Sequence, residues 1–418
     1  MVAEDFCASV RDGTHDSPKQ ALLGKKLVTS RHIIGGRIDL DNAYLISDRD
    51  FAEINRRSKV DQWDVLITMI GTVGEPCLVS SNADFAIKNI GLFKSKSQLH
   101  GQWLYYYLKT PVTQDLIRSR TSGTTQAYIA LGTLRSLPIV CPDSAAEMAA
   151  IVNCLAALDD KIELNRKMNA TLEAMARALF RDWFVDFGPT RAKMAGEAPY
   201  LSPTLWPLFP DRLDAEGKPE GWEEKPLDEI ADFLNGLALQ KFPGETEPNS
   251  LPVIKIAELR NGITANSNRA SRKVPGQYVI QDGDFLFSWS GSLLAKFWTS
   301  GEGALNQHLF KVSSGRYPAW FFSEWVQHHL EEFQMIAASK ATTMGHIQRG
   351  HLRSAKTIGP PDDVIQRMGD MMAPLIDRII RNELESRTLA QTRDLLLPRL
   401  MSGELRLAET PAALEAAQ

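Results

Sequence analysis

An internal repeat constrains this chain more than any other feature. Asp64-Val65-Leu66, with Gly71 beyond it, recurs 220 residues later as Asp284-Phe285-Leu286 with Gly291. Asn89 with Leu92-Phe93-Lys94 returns as Asn306 with Leu309-Phe310-Lys311, and Trp103 returns as Trp320, both 217 residues on. Thr124-Thr125, Ile129 and Leu134-Arg135-Ser136 return as Thr342-Thr343, Ile347 and Leu352-Arg353-Ser354, 218 residues on. Similarity at one fixed offset means two copies of one supersecondary unit. A chain of 418 residues is long enough to give each copy its own core.

Each copy has two parts. Short apolar runs that end in glycine turns, Val65–Ile70 and Phe285–Trp289, predict strands, and Trp103–Leu108 and Trp320–Leu330 predict short helices. The period then changes. Pro142 and a capping box, Ser144-x-x-Glu147, open an apolar stripe at Ile151, Leu155, Leu158, Ile162, Asn165, Asn169, Leu172, Ala176 and Leu179. Its counterpart reads Met368, Met372, Leu375, Ile379, Asn382, Ser386, Leu389, Arg393 and Leu396. A helix of about 35 residues rises about 50 Å, too long to lie inside one small core. Each stripe therefore needs a partner, and the nearest is the other stripe. Asn165 and Asn382 share one seam position, where a buried asparagine sets register at a cost in stability and a solvent-facing one does nothing; the residues alone leave both open. Pro374 is expected to kink the second helix or to mark its true start.

The fold class expected is α+β: two mixed α/β globular domains, each followed by a long helix. The expected segments are a first domain over 1–142, a helix with an aromatic end over 143–187, a proline-rich linker over 188–221, a second domain over 222–360, a second helix over 361–407 and a tail over 408–418. Pro189, Pro199, Pro203, Pro207, Pro210 and Pro219 make the linker an extended connector that leaves the second copy free to be placed.

The net charge of −4 argues against a nucleic-acid binder until it is resolved by position. Residues 94–138 hold Lys94, Lys96, Lys109, Arg118, Arg120 and Arg135 against the single acid Asp115, and residues 333–358 hold Lys340, Arg349, Arg353 and Lys356 against none. These islands fall at matching places in the repeat. The loops Arg118–Tyr128 and Lys340–Arg349 join them to small polar side chains: Arg120, Thr121, Ser122, Thr124, Thr125 and Gln126 in the first, Thr342, Thr343, His346 and Gln348 in the second. Lysine and arginine position a phosphate backbone, while glutamine and arginine read adenine and guanine edges in the major groove. Arg56, Arg57 and Lys59, with Arg269, Arg272 and Lys273, form a weaker phosphate-contact set. No apolar run reaches the length of a membrane span, and the first residues carry acids where a secretory signal carries bases. A cytoplasmic protein is expected. Its four cysteines lack ligand spacing and read as reduced packing residues.

In order along the chain, these motifs resemble the specificity subunit of a type I restriction–modification system. They are Asp12-Gly13-Thr14-His15-Asp16, Ile54-Asn55-Arg56-Arg57-Ser58-Lys59-Val60, Met69-Ile70-Gly71-Thr72-Val73-Gly74, Leu158-Asp159-Asp160-Lys161-Ile162-Glu163-Leu164-Asn165, Trp183-Phe184-Val185-Asp186-Phe187 and Leu397-Pro398-Arg399-Leu400-Met401-Ser402-Gly403-Glu404. The resemblance implies two target-recognition domains spaced by two long helices that pack as an antiparallel coiled coil, with a pseudo-twofold relation between the copies. Each domain would read one half of a split, asymmetric site on double-stranded DNA. It also implies partners: two adenine-N6 methyltransferase subunits, and endonuclease subunits that translocate DNA. Trp183, Phe184 and Phe187, with Leu400 and Met401 in the second copy, are either self-packing or a methyltransferase docking site.

Enzyme readings find little support. Gly71-Thr72-Val73-Gly74 lacks the GxGxxG spacing, and neither a GxxxxGK loop nor an Asn/Asp-Pro-Pro-Tyr motif occurs. No metal is expected, since His328-His329 and His346 with His351 lack a partner at ligand spacing. S-adenosylmethionine and ATP with magnesium are expected on partner subunits only. The competing class is a coiled-coil scaffold that binds protein without reading DNA.

Overall fold

The computed structural model describes residues 1–123, 126–245, 249–339 and 345–407. The chain forms two compact units, and both long helices are divided between them: the first unit is Met1–Asp160 with Leu389–Gln418, the second Lys161–Thr388. The helices are thus not domains of their own. Each unit holds one globular domain and a part of each helix.

In the first unit a four-stranded antiparallel sheet runs, in spatial order, Ser9–Asp12, Ile90–Lys94, Val65–Thr68 and Pro76–Leu78. The second unit repeats this order with Asp232–Asn235, Leu309–Ser313, Phe285–Ser288 and Ala295–Phe297. The copies differ by a slide of two residues. Leu66 pairs with Leu92, whereas its counterpart Leu286 pairs with Lys311 rather than with Leu309. Side chains alternate faces with period two, so an even slide keeps the apolar set on the core face. A smaller mixed sheet accompanies each: Leu45–Ile46, Lys25–Thr29 and Phe85–Lys88 in the first, and Arg269–Ser271, Ser250–Ile254, Gly303–Leu305 and Val279–Ile280 in the second.

The short helices are Gln98–Lys109 and Ala319–Ser339, the second much longer than its apolar run suggested. The long helices span Ala145–Phe184 and Asp362–Met401. Ser144 caps the first by accepting from the Glu147 N–H at 3.3 Å. Pro374 lies twelve residues inside the second, so it does not mark that helix's start.

Helix halves complete both cores. Val65, Phe93, Trp103 and Leu134 of the first unit pack with Ile151 and Leu155 from the first long helix and Leu397, Leu400 and Met401 from the second. In the second unit Phe285, Phe287, Trp320 and Phe321 pack with Phe180, Trp183 and Phe184 and with Met368, Met372 and Ile376. The segment 188–221 is not a free connector. It forms a short helix, Gly188–Met194, and delivers Leu205, Leu208 and Phe209 to the second core, with rings of Phe209 and Trp222 6.1 Å apart. Pro189 lies in that helix, and Pro207 lies in a 3-10 turn, Trp206–Leu208, between the buried Leu205 and Phe209.

Within the second unit Asn165 and Asn382 are fully buried at the helix seam. Asn382 Nδ2 donates to Asn169 Oδ1 at 2.7 Å, Asn165 Nδ2 donates to Glu385 at 2.8 Å, and Asn169 Nδ2 donates to the Ile379 carbonyl at 3.1 Å. Moving forward on one helix thus moves backward on the other, which is antiparallel pairing. In the first unit Asp159 on one helix pairs with Arg393 on the other, and Tyr106 donates to Asp159 at 3.0 Å. At the matching positions the second unit has Ile376, Ala176 and Ser323. A cavity of about 320 Å³ opens there, lined by Ser323 and Ile376 with Glu173, Arg177 and Glu324.

Two expected outcomes follow from this packing. Asn382→Ala strips the donor from a buried Asn169 oxygen, so denaturant unfolding should show a loss of about 1–3 kcal/mol. Burial pushes the Glu324 carboxyl up from 4.5 to about 7, and it is only 7% exposed. The unfolded chain releases that proton at lower pH than the folded one, so this group's effect is absent below pH 4.5 and costs stability as pH rises to about 7. Glu324→Gln should therefore be more stable than wild type at pH 8, by on the order of 2–3 kcal/mol, and equal to it at pH 4.

Candidate nucleic-acid interface

One end of each four-stranded sheet gathers three elements. In the first unit these are the end of the edge strand at Asp12, the turn after the central strand at Met69–Gly74, and the loop around Ser122–Tyr128. Ser122 and Tyr128 exchange backbone hydrogen bonds at 2.9 and 2.8 Å, and the loop is fastened to the turn by Gly71 N–H to Ala127 O at 2.9 Å and Ile129 N–H to Met69 O at 3.0 Å. The second unit repeats the fastening with Gly291 N–H to Gly345 O at 2.8 Å and Ile347 N–H to Trp289 O at 2.9 Å. Gly71 and Gly291 take φ of +80° and +65°, a backbone that side chains disfavour, so the turn needs glycine in both copies.

Of the expected contact residues, Ser122, Gln126 and Tyr128 are exposed on this hairpin, with Arg118 and Arg120 at its base. Thr121 is half-buried and its hydroxyl donates to the Ile117 carbonyl at 2.8 Å. Arg118 forms an ion pair with Asp115. In the second unit His346 stands at the place of Tyr128, and Gln348 and Arg349, both exposed, follow where the first unit has Ala130 and Leu131. Thr124, Thr125, Lys340, Thr342 and Thr343 lie outside the described residues.

The basic islands are less of a surface than the sequence suggested. Lys94 is tied to Asp61 and Asp64, Lys96 donates to the Asp5 carbonyl at 2.6 Å, Lys109 is buried beside Tyr105, and Arg135 approaches Glu4. Four of the six basic residues of the first island thus have partners within the fold, though Lys96 and Arg135 remain exposed. Burial lowers the Lys109 pKa below its ordinary value.

Arg57 of the weaker set does reach the loop-bearing end. It forms an ion pair with the buried Asp12, whose other oxygen meets His15 at 3.0 Å, while His15 also meets Asn89 at 2.9 Å. Arg56 is exposed one residue earlier, and Lys59 pairs with Asp61 at 2.8 Å. Arg269 donates to Ser250 from the separate mixed sheet, Arg272 pairs with Glu302 at 2.7 Å and Lys273 with Glu245 at 3.0 Å. Ser250 belongs to the smaller mixed sheet, and Glu302 and Glu245 lie outside the four-stranded sheet that carries the loop.

Sequence reasoning passed over Asn235, Trp289 and His308. They join the second site through contacts between strands distant in sequence: Trp289 Nε1 donates to Asn235 Oδ1 at 2.9 Å, and its ring lies 5.8 Å from His308. Only the repeat offset, which sets Trp289 against Met69, hinted at a difference there.

Of the two readings of the aromatic end, burial favours self-packing. Trp183 and Phe184 are 0% exposed, Phe187 is buried against Trp222, and Leu400 and Met401 are buried in the first core. Fully covered side chains have no surface to offer, so self-packing is their role.

Two copies of one loop-bearing sheet end, alike in backbone and unlike in side chains, define a duplicated recognition protein. The chain belongs to the family described as type I restriction modification DNA specificity domain, whose model matches residues 32–174 and again 219–389. It is thus a DNA sequence-recognition subunit, a non-catalytic component of its system. Among its relatives are the type I restriction enzyme MjaIX specificity subunit of Methanocaldococcus jannaschii, 27% identical over 75% of this chain and 71% of that one, and the HindI specificity subunit of Haemophilus influenzae, 25% identical over 69% and 73%. The crystal structure of a type I restriction–modification S subunit from M. genitalium shares the fold, with a TM-score of 0.54 at 15% identity, over 98% of this chain and 96% of that one. No helix among the described residues is long and apolar enough to cross a membrane.

If the aromatic end is core, Trp183→Ala should lower the stability of the free subunit by about 3–5 kcal/mol in a melting or denaturant experiment with no partner present. An unchanged free subunit that binds its partner poorly would restore the docking reading.

Proposed function

We propose that each domain reads one half of a split, asymmetric DNA site through its hairpin or loop and the adjoining turn, and that the helix pair spaces the two halves. The observation that carries this reading is the repeated backbone fastening, Gly71 to Ala127 and Gly291 to Gly345, which presents unlike side chains in the two copies. His346 stands in one copy where Tyr128 stands in the other, and Gln348 and Arg349 where Ala130 and Leu131 do, so the half-sites differ in sequence. Exposed Arg56, Arg118 and Arg120 supply phosphate contacts that position the duplex, and the glutamines read base edges. In this reading the subunit works in the cytoplasm, recruiting two adenine-N6 methyltransferase subunits and, in the larger complex, endonuclease subunits that translocate DNA. Those partners carry S-adenosylmethionine and ATP with magnesium.

The test is binding to the cognate duplex across a salt series. Affinity should fall steeply as counterions are released. Arg120→Ala should weaken binding to all sequences and reduce the slope by about one, whereas Gln126→Ala should relax selectivity at one position by about 1–3 kcal/mol. A flat salt response would leave the protein as a scaffold that holds other subunits without reading DNA. Methyl transfer by the purified chain alone, given DNA and S-adenosylmethionine, would overturn the division of labour.

A further inference from the structure

We infer that the second domain carries a thymine-reading pocket built by Trp289 and Asn235, an assignment that rests on the DNA-recognition reading above. At the loop-bearing sheet end a shallow hollow of about 290 Å³ is lined by Asn235, Trp289, Phe310, Ile347, Gln348 and Arg349. Its floor is apolar. The Trp289 ring lies 6.1 Å from Phe310 and 6.2 Å from His346, and Phe310 and Ile347 are buried beneath.

The rim is polar and oriented. An indole N–H is a donor only, so Trp289 Nε1 can engage Asn235 only through the carbonyl half of its amide, at 2.9 Å; the same N–H also meets the Gln307 carbonyl at 3.0 Å. With its acceptor engaged, the exposed Asn235 presents its Nδ2 donor outward at the lip of an apolar hollow. Arg349 is fixed beside it by a bond to the Phe233 carbonyl at 3.1 Å and lies 5.8 Å from the centre of the Phe310 ring.

A donor beside an apolar hollow selects among the major-groove edges. Adenine and guanine offer acceptors without a methyl group, and cytosine offers an amino donor that would oppose Nδ2. Thymine alone places an acceptor, O4, next to a methyl group. The first domain cannot repeat this recognition. Met69 replaces Trp289, and the last residue of the matching edge strand is Asp12, a carboxylate already engaged by Arg57 and His15. Thymine selection of this kind is therefore confined to the half-site of the second domain.

The experiment uses the full-length subunit with its methyltransferase partner and the target duplex found by selection from a random pool. Each thymine of the second half-site is replaced in turn by deoxyuridine, which removes only the methyl group. One position should lose affinity roughly fourfold, the worth of one buried methyl, while replacements in the first half-site have no such dependence on Trp289. Trp289→Ala should bind the thymine and uracil duplexes equally. Asn235→Asp, an exposed change that leaves the core untouched, turns the donor into an acceptor and should weaken the thymine duplex while lowering its preference over cytosine at that position. Sequence-selective binding in which no uracil replacement matters, or in which Trp289→Ala and Asn235→Asp leave the preference intact, overturns the pocket and leaves the DNA reading standing. Absence of any sequence-selective binding by the wild type overturns both.

Discussion

A helix of forty residues with an apolar stripe along its length has to be covered from end to end. Neither globular domain is large enough to do this for its own helix. The structure meets the constraint by dividing both helices between the two units, so that each core is closed by the first half of one helix and the last half of the other. The antiparallel direction follows directly, because only then can opposite halves of two copies of one sequence reach the same core. The buried polar contacts fall along the seam where the stripes meet. Asn165, Asn169 and Asn382 engage one another and neighbouring carbonyls in the second unit, and the Asp159–Arg393 pair does the corresponding work in the first. Apolar contacts tolerate sliding by a turn; donors matched to single acceptors do not.

The duplication has been used unevenly. Backbone features repeat: sheet order, the positive-φ glycine in the turn, and the hydrogen bonds that hold the recognition loop. Side chains at the loop-bearing sheet end and in the space behind the sheet do not. Tyr106, Asp159 and Arg393 fill in one unit a region that Ser323, Ile376 and Ala176 leave open in the other. Asp12, locked between Arg57 and His15, corresponds to an exposed amide at Asn235. One scaffold thus supports two chemistries, which is what reading two different sequences requires.

Much of this was legible in the chain itself. The repeat offset set out the two domains, the 3.6-residue period and the Ser144 cap located the first long helix, and the seam asparagines stood out as polar breaks in an apolar stripe. What escaped had physical reasons. Lysines 94, 96 and 109 looked like a basic surface because their partners, Asp64, the Asp5 carbonyl and Tyr105, are brought in by strand pairing that composition does not reveal. The proline-rich stretch looked extended because proline density signals the absence of regular structure; it does not say whether intervening leucines and phenylalanines are buried. Trp183 and Phe184 looked available for a partner because the rings packed on them, Phe209 on the first and Trp222, Trp320 and Phe321 on the second, lie further along the chain. Asn235 and Trp289 escaped because their meaning lies in one hydrogen bond across 54 positions.

The packing of Leu205, Leu208 and Phe209 from the stretch 188–221 bears on how such a chain can be divided. A linker that merely bridged two recognition modules would be the natural joint between them, and a gene cut there would yield two working halves. Here Leu205, Leu208 and Phe209 belong to the same core as Trp183 and the second sheet, so the apparent joint is internal to a folding unit. A half-length chain ending at the joint would carry Trp183 and Phe184 with nothing to cover them until another copy supplied the missing wall. In the fused chain the aromatic end of the first copy's helix and the sheet of the second copy therefore fold as parts of one core.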